Sequence, residues 1–387
     1  MSKLQLNSAF NPSEFLTNSW QQKPLYIPRL VPGFADIIEP GELAGLACED
    51  FVESRLIRET NPGRWNVQHG PFAEADFAAL PDTHWTLLVQ AVDQWADEVV
   101  ALRALFEFIP RWRIEDVMIS YAVESGSVGP HFDQYDVFLL QGSGQRKWQV
   151  GAKVPPDTTL DNQDGVGILP TFTAQQEFLL NPGDALYLPP QYAHWGQSIG
   201  SSTCYSIGFR APALSEMLEG LSDELIASCE AFERYTDVNP KVPAHPASID
   251  PAALTIAFEQ VLNRLNNPSG FVRWFGCFVT RPKYPEAIEA QISPLTITDI
   301  ENGLDQGLRL SHHSGSRFAF ISADSGSGLT LFVDGNAYEL PSSQSEAIHE
   351  LCDPTLLKKW NFKKARKSSA LASILVQLLN EGSLLLR

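Results

Sequence analysis

The motif His131-Phe132-Asp133 constrains this chain more than any other feature of its sequence. It lies in the stretch from Tyr121 to Val150, where apolar residues on both sides of the motif predict a β-strand. In a strand, residues i and i+2 point to the same side, so the imidazole of His131 and the carboxylate of Asp133 are expected to lie side by side. A lone His-x-Asp pair also occurs by chance, and a metal site needs at least one further ligand.

His194 is the predicted further ligand. It follows Asn181-Pro-Gly-Asp184, a predicted turn, and Ala185 to Leu188, a predicted short buried strand. After the stiff bend Pro189-Pro190, an antiparallel strand would bring His194 back beside His131. Two imidazoles and one carboxylate on one side of a metal form the site that non-haem Fe(II) oxygenases use. We therefore expect three side chains to hold the metal and to form the catalytic centre: His131, Asp133 and His194.

Arg146 is the candidate for binding a carboxylate cosubstrate. It follows the turn Gly142-Ser143-Gly144, so a hairpin would place it on the strand next to that of His131. A guanidinium can hold a carboxylate through two parallel hydrogen bonds. 2-Oxoglutarate presents such a carboxylate when its other end chelates iron. The alternative is an exposed arginine in the polar patch Gln145-Arg146-Lys147.

Four segments carry a family resemblance: HFD, GSGQRKW, PGDALYLPPQYAHW and YSIGFRAP. They resemble the JmjC-type cupin hydroxylases, and most closely the bacterial ribosomal oxygenases that hydroxylate an arginine of large-subunit ribosomal protein sixteen. The similarity is strongest from Asp116 to Pro212. It implies a double-stranded β-helix, Fe(II) as the metal, 2-oxoglutarate as cosubstrate with Arg146 as its anchor, and hydroxylation of the arginine at C3.

A predicted strand from Trp112 to Ser120 places Asp116, Met118 and Ser120 on one face. An acid in a core strand needs a partner, and a carboxylate can hold a guanidinium while apolar walls pack against its stem. The resemblance implies that five side chains surround the target arginine: Asp116, Met118, Tyr135, Ser206 and Phe209. The alternatives are a structural salt bridge for Asp116 and plain core packing for Met118 and Phe209.

The chain length of 387 residues predicts two or three domains. Residues 1–212 are predicted to form the cupin domain, covered by helices that include His84 to Phe108. Residues 213–290 predict a helical segment with more apolar surface than its short helices can bury, and the resemblance implies that it forms a homodimer. In residues 291–387, Asp334-Gly335 predicts a tight hairpin in a winged-helix-like domain. The predicted fold is therefore mixed α and β: a cupin barrel, a helical dimerisation segment and a winged helix.

The formal charge of −18 favours basic partners, and a basic ribosomal protein would fit, although net charge also serves solubility alone. Six basic residues from Lys358 to Lys367 predict a surface that contacts RNA. The alternative is a charged, solvent-exposed segment at the start of a helix. We find neither a signal-peptide pattern nor an apolar run of about 18 residues, so we expect no membrane contact and a cytoplasmic enzyme. Five cysteines without a CxxC pair agree with a reducing compartment.

Two other classes of function stay open at this point. A cupin metalloenzyme that does not use 2-oxoglutarate would keep the metal ligands without needing Arg146. A ribosome- or RNA-binding protein with a vestigial barrel would depend on the basic residues near the C-terminal end instead. Production of succinate distinguishes the oxygenase from both.

Overall fold

The computed structural model describes residues 4–155, 157–163, 165–322, 328–360 and 368–387. The chain divides into two compact units, Met1–Ala211 and Pro212–Arg387. We call them the N-terminal unit and the C-terminal unit. No helix among the described residues is both long and apolar enough to cross a membrane.

The N-terminal unit is mostly β-structure. Its helices are short: α1 (Pro12–Asn18), α2 (Pro40–Leu46), α3 (Glu74–Ala78), α4 (Val92–Trp95) and α5 (Asp97–Arg103). Its strands come first in an N-terminal group: β1 (Leu25–Ile27), β2 (Ser54–Asn61), β3 (Arg64–His69), β4 (Trp85–Val89) and β5 (Ile114–Ala122). The later strands follow closely on one another: β6 (Asp136–Gln141), β7 (Gln145–Lys153), β8 (Asp161–Gln163), β9 (Val166–Ile168), β10 (Gln176–Leu180), β11 (Ala185–Leu188), β12 (Tyr192–Ile199) and β13 (Ser202–Phe209).

Two antiparallel sheets face each other and form the barrel. Among the described residues, the larger sheet has the order β1-β11-β6-β13-β5-β4-β2-β3, and the smaller has the order β10-β7-β12. Trp148 and Val150 of the smaller sheet pack against Leu186, Leu188 and Cys204 of the larger one, so apolar side chains fill one end of the space between the sheets. The predicted buried strand from Ala185 to Leu188 is confirmed as β11.

The other face of the larger sheet packs against the N-terminal helices. An aromatic cluster that includes Phe15, Phe106, Phe138, Tyr187 and Phe209 forms this core, with all five side chains buried. Because one face of the sheet is occupied by this core, only the opposite face can line a site inside the barrel. Alternation along each strand therefore decides which side chains are available for chemistry.

The prediction of a helical cover from His84 to Phe108 is wrong in its first part. Trp85–Val89 is strand β4, which pairs with β2 and β5 inside the larger sheet. Only after Ala91, whose φ is 51°, does the chain form the short helices α4 and α5. A strand buried on both faces is a continuous apolar run, and such a run cannot be distinguished from a buried helix by periodicity alone.

The C-terminal unit begins with three helices: α6 (Leu214–Ala227), α7 (Pro251–Leu265) and α8 (Pro268–Val279). Helix α7 begins as the sequence indicates, because Pro251 occupies its first turn and the Asp250 side chain accepts a hydrogen bond from the Ala252 N–H at 2.9 Å. Large apolar side chains of α6 and α7 are exposed: Leu214, Leu218, Ile226, Leu254, Phe258, Val261, Leu262 and Leu265.

The remaining elements of the C-terminal unit surround a core of their own. They are α9 (Ile297–Asp305), β14 (Leu310–His312), β15 (Phe318–Ser322), β16 (Leu329–Val333), β17 (Asn336–Leu340), α10 (Ser345–Cys352), α11 (Pro354–Leu357), α12 (Ser369–Asn380) and β18 (Leu384–Leu386). The hairpin at Asp334-Gly335 is confirmed, since it joins β16 to β17 with φ values of 49° and 83°. Of the predicted basic cluster, the part from 361 to 367 lies outside the described residues.

Candidate active site

His131 and His194 are direct neighbours across an antiparallel bridge. The His131 N–H donates to the His194 carbonyl oxygen at 3.0 Å, and the His194 N–H donates to the His131 carbonyl oxygen at 2.8 Å. Their imidazole rings lie with centroids 4.2 Å apart. The predicted return of the chain to place His194 beside His131 is therefore confirmed, and strand β12 carries it.

Both imidazoles are held in the same tautomer. The Nδ1 atom of His131 lies 2.9 Å from the carbonyl oxygen of Gly129, and the Nδ1 atom of His194 lies 2.9 Å from the carbonyl oxygen of Tyr192. A carbonyl oxygen can only accept, so each Nδ1 carries the hydrogen and each neutral ring keeps a lone pair on Nε2. Burial, followed by the neighbouring His131, lowers the pKa of His194 to about 4, so this ring is neutral at physiological pH.

Asp133 completes a cluster of three ligand-type side chains. One Asp133 carboxylate oxygen lies 3.6 Å from His194 Nε2. One potential ligand atom from each of His131, Asp133 and His194 lies within 4.8 Å of the others. His194 is buried, whereas His131 and Asp133 are partly exposed, so the cluster is open on one side.

The expectation that His131 and Asp133 share one regular strand is wrong. His131 takes part only in the isolated bridge to His194, and regular strand structure resumes at Asp136, where β6 begins. The backbone of Asp133 is instead held by the segment that precedes β12, because the Asp133 carbonyl oxygen accepts a hydrogen bond from the Gln191 N–H at 2.7 Å. The two side chains meet through loop geometry and not through strand alternation.

The Arg146 side chain lies between the two sheets and is almost completely buried. It donates to Ser120 Oγ at 2.9 Å, and it donates to Ser202 Oγ from Nε at 3.3 Å and from Nη2 at 3.2 Å. Among the described residues no carboxylate forms an ion pair with it. Burial lowers the pKa of this guanidinium. The alternative of an exposed arginine in a polar patch is therefore excluded.

The predicted hairpin between His131 and Arg146 is also wrong. Strand β7, which carries Arg146, pairs with β10 and β12 of the smaller sheet, whereas β6 pairs with β11 and β13 of the larger one. The turn at Gly142-Ser143-Gly144 thus transfers the chain from one sheet to the other. Arg146 reaches the interior from the sheet that also carries His194, because His194 lies on β12, directly paired with β7.

Asp116 lies on the interior face of β5, in the same row as Ser120. Its carboxylate accepts a hydrogen bond from Gln90 Nε2 at 2.9 Å, and Gln90 Oε1 accepts one from Arg55 Nη2 at 3.4 Å. Gln90 and Arg55 are not among the predicted site residues, because Gln90 lies within the stretch predicted as helix. If Trp85–Val89 had been predicted as a strand that pairs with β5, Gln90, which follows this strand directly, would have been expected near β5.

Tyr135 lies near the charges of both Asp133 and Asp116, with 44 % of its surface exposed. The negative charge of Asp133, followed by burial and by the charge of Asp116, raises the pKa of its hydroxyl far above the ordinary value. The phenol is therefore neutral and able to donate a hydrogen bond at any physiological pH. Its ring is the exposed aromatic surface beside the three-residue cluster.

The other three predicted substrate residues differ in their placement. Met118 is partly exposed and packs in a small apolar cluster with Trp65 and Ile57, on the same face of β5 as Asp116. Ser206 is directly paired with Met118 across β13 and β5. Phe209, in contrast, is fully buried in the aromatic core on the other face of the larger sheet. The structure supports core packing for Phe209 and gives it no exposed surface for a substrate.

The chain is similar to known proteins over nearly its whole length. Residues 101–217 match the family model of the JmjC domain, and residues 263–385 match that of the ROXA-like winged helix. The chain is 36% identical over 379 residues to the ribosomal protein uL16 3-hydroxylase of Escherichia coli. The aligned region covers 98% of each protein. It is 39% identical over 215 residues to a probable ribosomal oxygenase of Haemophilus influenzae, covering 54% of this chain and 52% of that protein.

Solved structures show the same architecture. An X-ray structure of E. coli YcfD superposes with a TM-score of 0.90 at 35% identity and covers 100% of both chains. A structure of the E. coli ribosomal oxygenase YcfD in complex with cobalt and 2-oxoglutarate has a TM-score of 0.86 at 34% identity and covers 99% of both chains. The predicted fold, a JmjC cupin barrel with a winged helix towards its C-terminal end, is therefore confirmed. Because the identity extends over nearly the whole chain, the protein belongs to the JmjC-type ribosomal oxygenases.

Proposed function

We propose that this protein is an Fe(II)- and 2-oxoglutarate-dependent oxygenase that hydroxylates an arginine side chain of ribosomal protein uL16 at C3. The E. coli relative is named for the 3-hydroxylation of uL16, and the E. coli structure binds cobalt and 2-oxoglutarate. The observation in this chain that carries the proposal is the buried Arg146 guanidinium, whose described partners are neutral oxygens. A cupin metalloenzyme that does not use 2-oxoglutarate would have no reason to bury this cation.

The three-residue cluster fits Fe(II). His131 and His194 each offer an unprotonated Nε2, and Asp133 offers a carboxylate oxygen, which together form the two-histidine, one-carboxylate donor set of non-haem iron enzymes. The carbonyl oxygens behind each Nδ1 fix the orientation of the rings, as is common around protein metal sites. When bound, Fe(II) and 2-oxoglutarate supply the oxidising power that inserts one atom of dioxygen into a C–H bond.

Arg146 fits the distal carboxylate of 2-oxoglutarate. A buried charge is costly unless a partner of opposite charge and further hydrogen bonds compensate for the lost hydration. Ser120 and Ser202 orient the guanidinium without neutralising it. A carboxylate beside this fork would supply the missing charge through short, charge-assisted hydrogen bonds. Arg146 would thereby hold one end of the cosubstrate and leave its other end free to chelate the metal.

Asp116 is the proposed partner of the target guanidinium. Its carboxylate is buried, lies on the interior face of the barrel, and is oriented by Gln90. The exposed ring of Tyr135 and the partly exposed Met118 provide surfaces against which an arginine stem can pack, and Ser206 adds a hydroxyl. Holding both ends of the side chain decides which carbon lies nearest the metal, and this positioning selects the hydroxylated carbon.

A basic protein substrate suits the acidity of the enzyme. The formal charge of −18 attracts a basic ribosomal protein and speeds encounter at low ionic strength. We place the reaction in the cytoplasm, where ribosomal proteins are made. Contact with ribosomal RNA through the basic residues from Lys358 to Lys367 belongs to the same proposal, supported only by charge.

A homodimer is the proposed assembly. Eight large apolar side chains of α6 and α7 are exposed, and Phe258 alone leaves 63% of its surface exposed. Apolar side chains exposed in such number on two helices are typical of an interface with another protein. A second copy that covers these two helices would bury this surface.

The decisive experiment is a coupled assay on the full-length protein. Purified enzyme is incubated with Fe(II), 2-oxoglutarate and E. coli uL16, and succinate and the mass of uL16 peptides are measured. We expect one succinate for each added oxygen atom, located on an arginine. Absence of both succinate and oxygen addition would exclude the proposal. If such an inactive protein still bound RNA, and if its affinity decreased as the salt concentration rose, the result would point to the ribosome-binding alternative.

A further inference from the structure

Neither its φ nor a crowded Cβ position requires Gly208 in strand β13 to be a glycine. Its φ is not in the left-handed region, and a Cβ placed on it would meet nothing closer than 3.7 Å. Gly196 in β12 differs, since a Cβ there would lie 2.7 Å from the Trp148 ring. Glycine inside a strand costs stability relative to alanine. Such a residue often marks a β-bulge or a place where a ligand approaches the backbone closely.

The space left open by Gly208 lies between two of the proposed substrate residues. Gly208 is directly paired with Asp116 across β13 and β5. A Cβ on Gly208 would lie 3.7 Å from Asp116 Oδ1 and 4.0 Å from Tyr135 Cε2. It would therefore occupy the gap bordered by the carboxylate and the edge of the aromatic ring. Ser206, two residues earlier in the same strand, points to the same side.

We propose that Gly208 is a specificity-determining residue, which keeps a slot open between Asp116 and Tyr135 for the target arginine. This inference rests on the proposed function. A guanidinium is planar, forms a fork that matches a carboxylate, and stacks on aromatic rings. A slot with a carboxylate on one side and a phenol ring on the other suits this shape. A methyl group at position 208 would narrow the slot without touching Arg146 or the three metal ligands.

A structural reason for the glycine makes a different prediction. The pairing register of β13 with β5 shifts between Gly208 and Phe209, so the local backbone is irregular. If the irregular backbone required glycine, alanine would lower the stability of the fold. If the open slot is the reason, alanine fits the backbone, stability is kept or increased, and only substrate binding suffers.

The test compares Gly208→Ala with the wild-type enzyme and with Gly45→Ala as a matched control. Gly45 lies on the exposed side of α2, has a negative φ, and has open space where a Cβ would be. For each protein we measure the thermal unfolding midpoint, the KM for 2-oxoglutarate, and the KM and kcat for a uL16 peptide. One extra methyl-sized group in a specific pocket typically changes discrimination by about 10- to 200-fold.

We expect Gly208→Ala to lower kcat/KM for the uL16 peptide by about tenfold or more, mainly through KM. Its unfolding midpoint should be no lower than that of the wild type, and its KM for 2-oxoglutarate should match those of the wild type and of Gly45→Ala. Unchanged kinetics with the peptide would overturn the inference, and so would a lowered unfolding midpoint accompanied by weaker 2-oxoglutarate binding. Failure of the wild-type enzyme to turn over 2-oxoglutarate would instead refute the proposed function, so the two failures are distinguishable.

Discussion

The guanidinium of Arg146 donates to the Oγ of Ser120 at 2.9 Å from the opposite sheet of the barrel, and both side chains are buried. This contact joins β7 to β5, although the two residues are 26 positions apart in the chain. It places a cation on the same interior surface as Asp116, because Asp116 and Ser120 share one face of β5. The barrel interior thus carries a buried guanidinium and a buried carboxyl group on one surface.

Replacing Arg146 with Ala should remove binding of 2-oxoglutarate. The loss of two charge-assisted hydrogen bonds predicts a KM for 2-oxoglutarate raised by about 100-fold or more. In wild type, 2-oxoglutarate at about 100 times its Kd should stabilise the fold by about 2.7 kcal/mol, and the variant should lose this stabilisation. Lys147→Ala, which removes the neighbouring, partly exposed cation, is the control. A variant that keeps both the KM and the thermal shift would contradict the assignment of Arg146.

Replacing Asp133 with Ala should abolish metal binding and turnover. Two imidazoles remain, and they lack the negative charge that helps to hold a divalent ion. The measurement is metal content after dialysis, together with the thermal shift on adding Fe(II) or cobalt under anaerobic conditions. Asp157→Ala, an exposed position in the same unit, should bind metal as the wild type does. Stoichiometric metal in Asp133→Ala would show that the ligand set is different.

Replacing Asp116 with Asn should weaken the protein substrate and leave the cosubstrate unaffected. An amide keeps the shape but loses a hydrogen bond between charged groups, which is worth about 1.5–3 kcal/mol. The KM for a uL16 peptide should therefore rise by about 10- to 150-fold, with the KM for 2-oxoglutarate unchanged. Asp82→Asn, an exposed acid, tests whether net charge alone matters. Equal effects of the two variants would assign the loss to long-range electrostatics.

Replacing Phe258 with Asp should convert a dimer into a monomer. Phe258 belongs to the exposed apolar surface of α7, and a buried unpaired carboxylate would oppose association strongly. Mass measured by light scattering during size-exclusion chromatography distinguishes the two states. Glu259→Ala on the same helix should remain dimeric. A wild-type protein that is monomeric at micromolar concentration would refute the dimer itself.

The stability of the N-terminal unit should depend on the protonation of Asp136. Its carboxylate is buried and accepts hydrogen bonds from Tyr187 Oη at 2.5 Å and from Gln21 Nε2 at 2.9 Å. Burial raises the pKa of Asp136 above the ordinary value of 3.8. The folded state then binds a proton that the unfolded state has released, so stability is lost as the pH rises from 3.8 towards the folded pKa.

Asp136→Asn should remove this dependence, because an amide does not titrate. We subtract the free energy of unfolding of the variant from that of the wild type. This difference should decrease as the pH rises from about 4 to 7. Denaturant unfolding of both proteins across this range measures the difference. A difference that is constant with pH, or that increases, would mean that the hydrogen bonds from Tyr187 and Gln21 and the charge of Arg113, 3.5 Å away, outweigh the effect of burial.

Local patterns in the sequence determined the features that depend on neighbouring residues. The proline after Asp250 and the Asp334-Gly335 pair predicted a helix start and a hairpin that the structure confirms. The PGD turn, the short apolar run and the Pro-Pro bend before His194 placed this imidazole beside His131. These signals work because caps, turns and short buried strands depend on a few adjacent residues.

Only the tertiary structure decided which strands pair and which face of each strand points inward. Arg146 reaches the site from the sheet opposite to the predicted one, and Gln90 meets Asp116 only because β4 is a strand. Phe209 points into the aromatic core, whereas Ser206 faces the barrel interior. Sheet pairing joins residues far apart in the chain, and one irregular residue exchanges the two faces of a strand. The ligand-type side chains can therefore be predicted from short sequence motifs. The residues that surround them in the fold cannot, because those contacts join segments far apart in the chain.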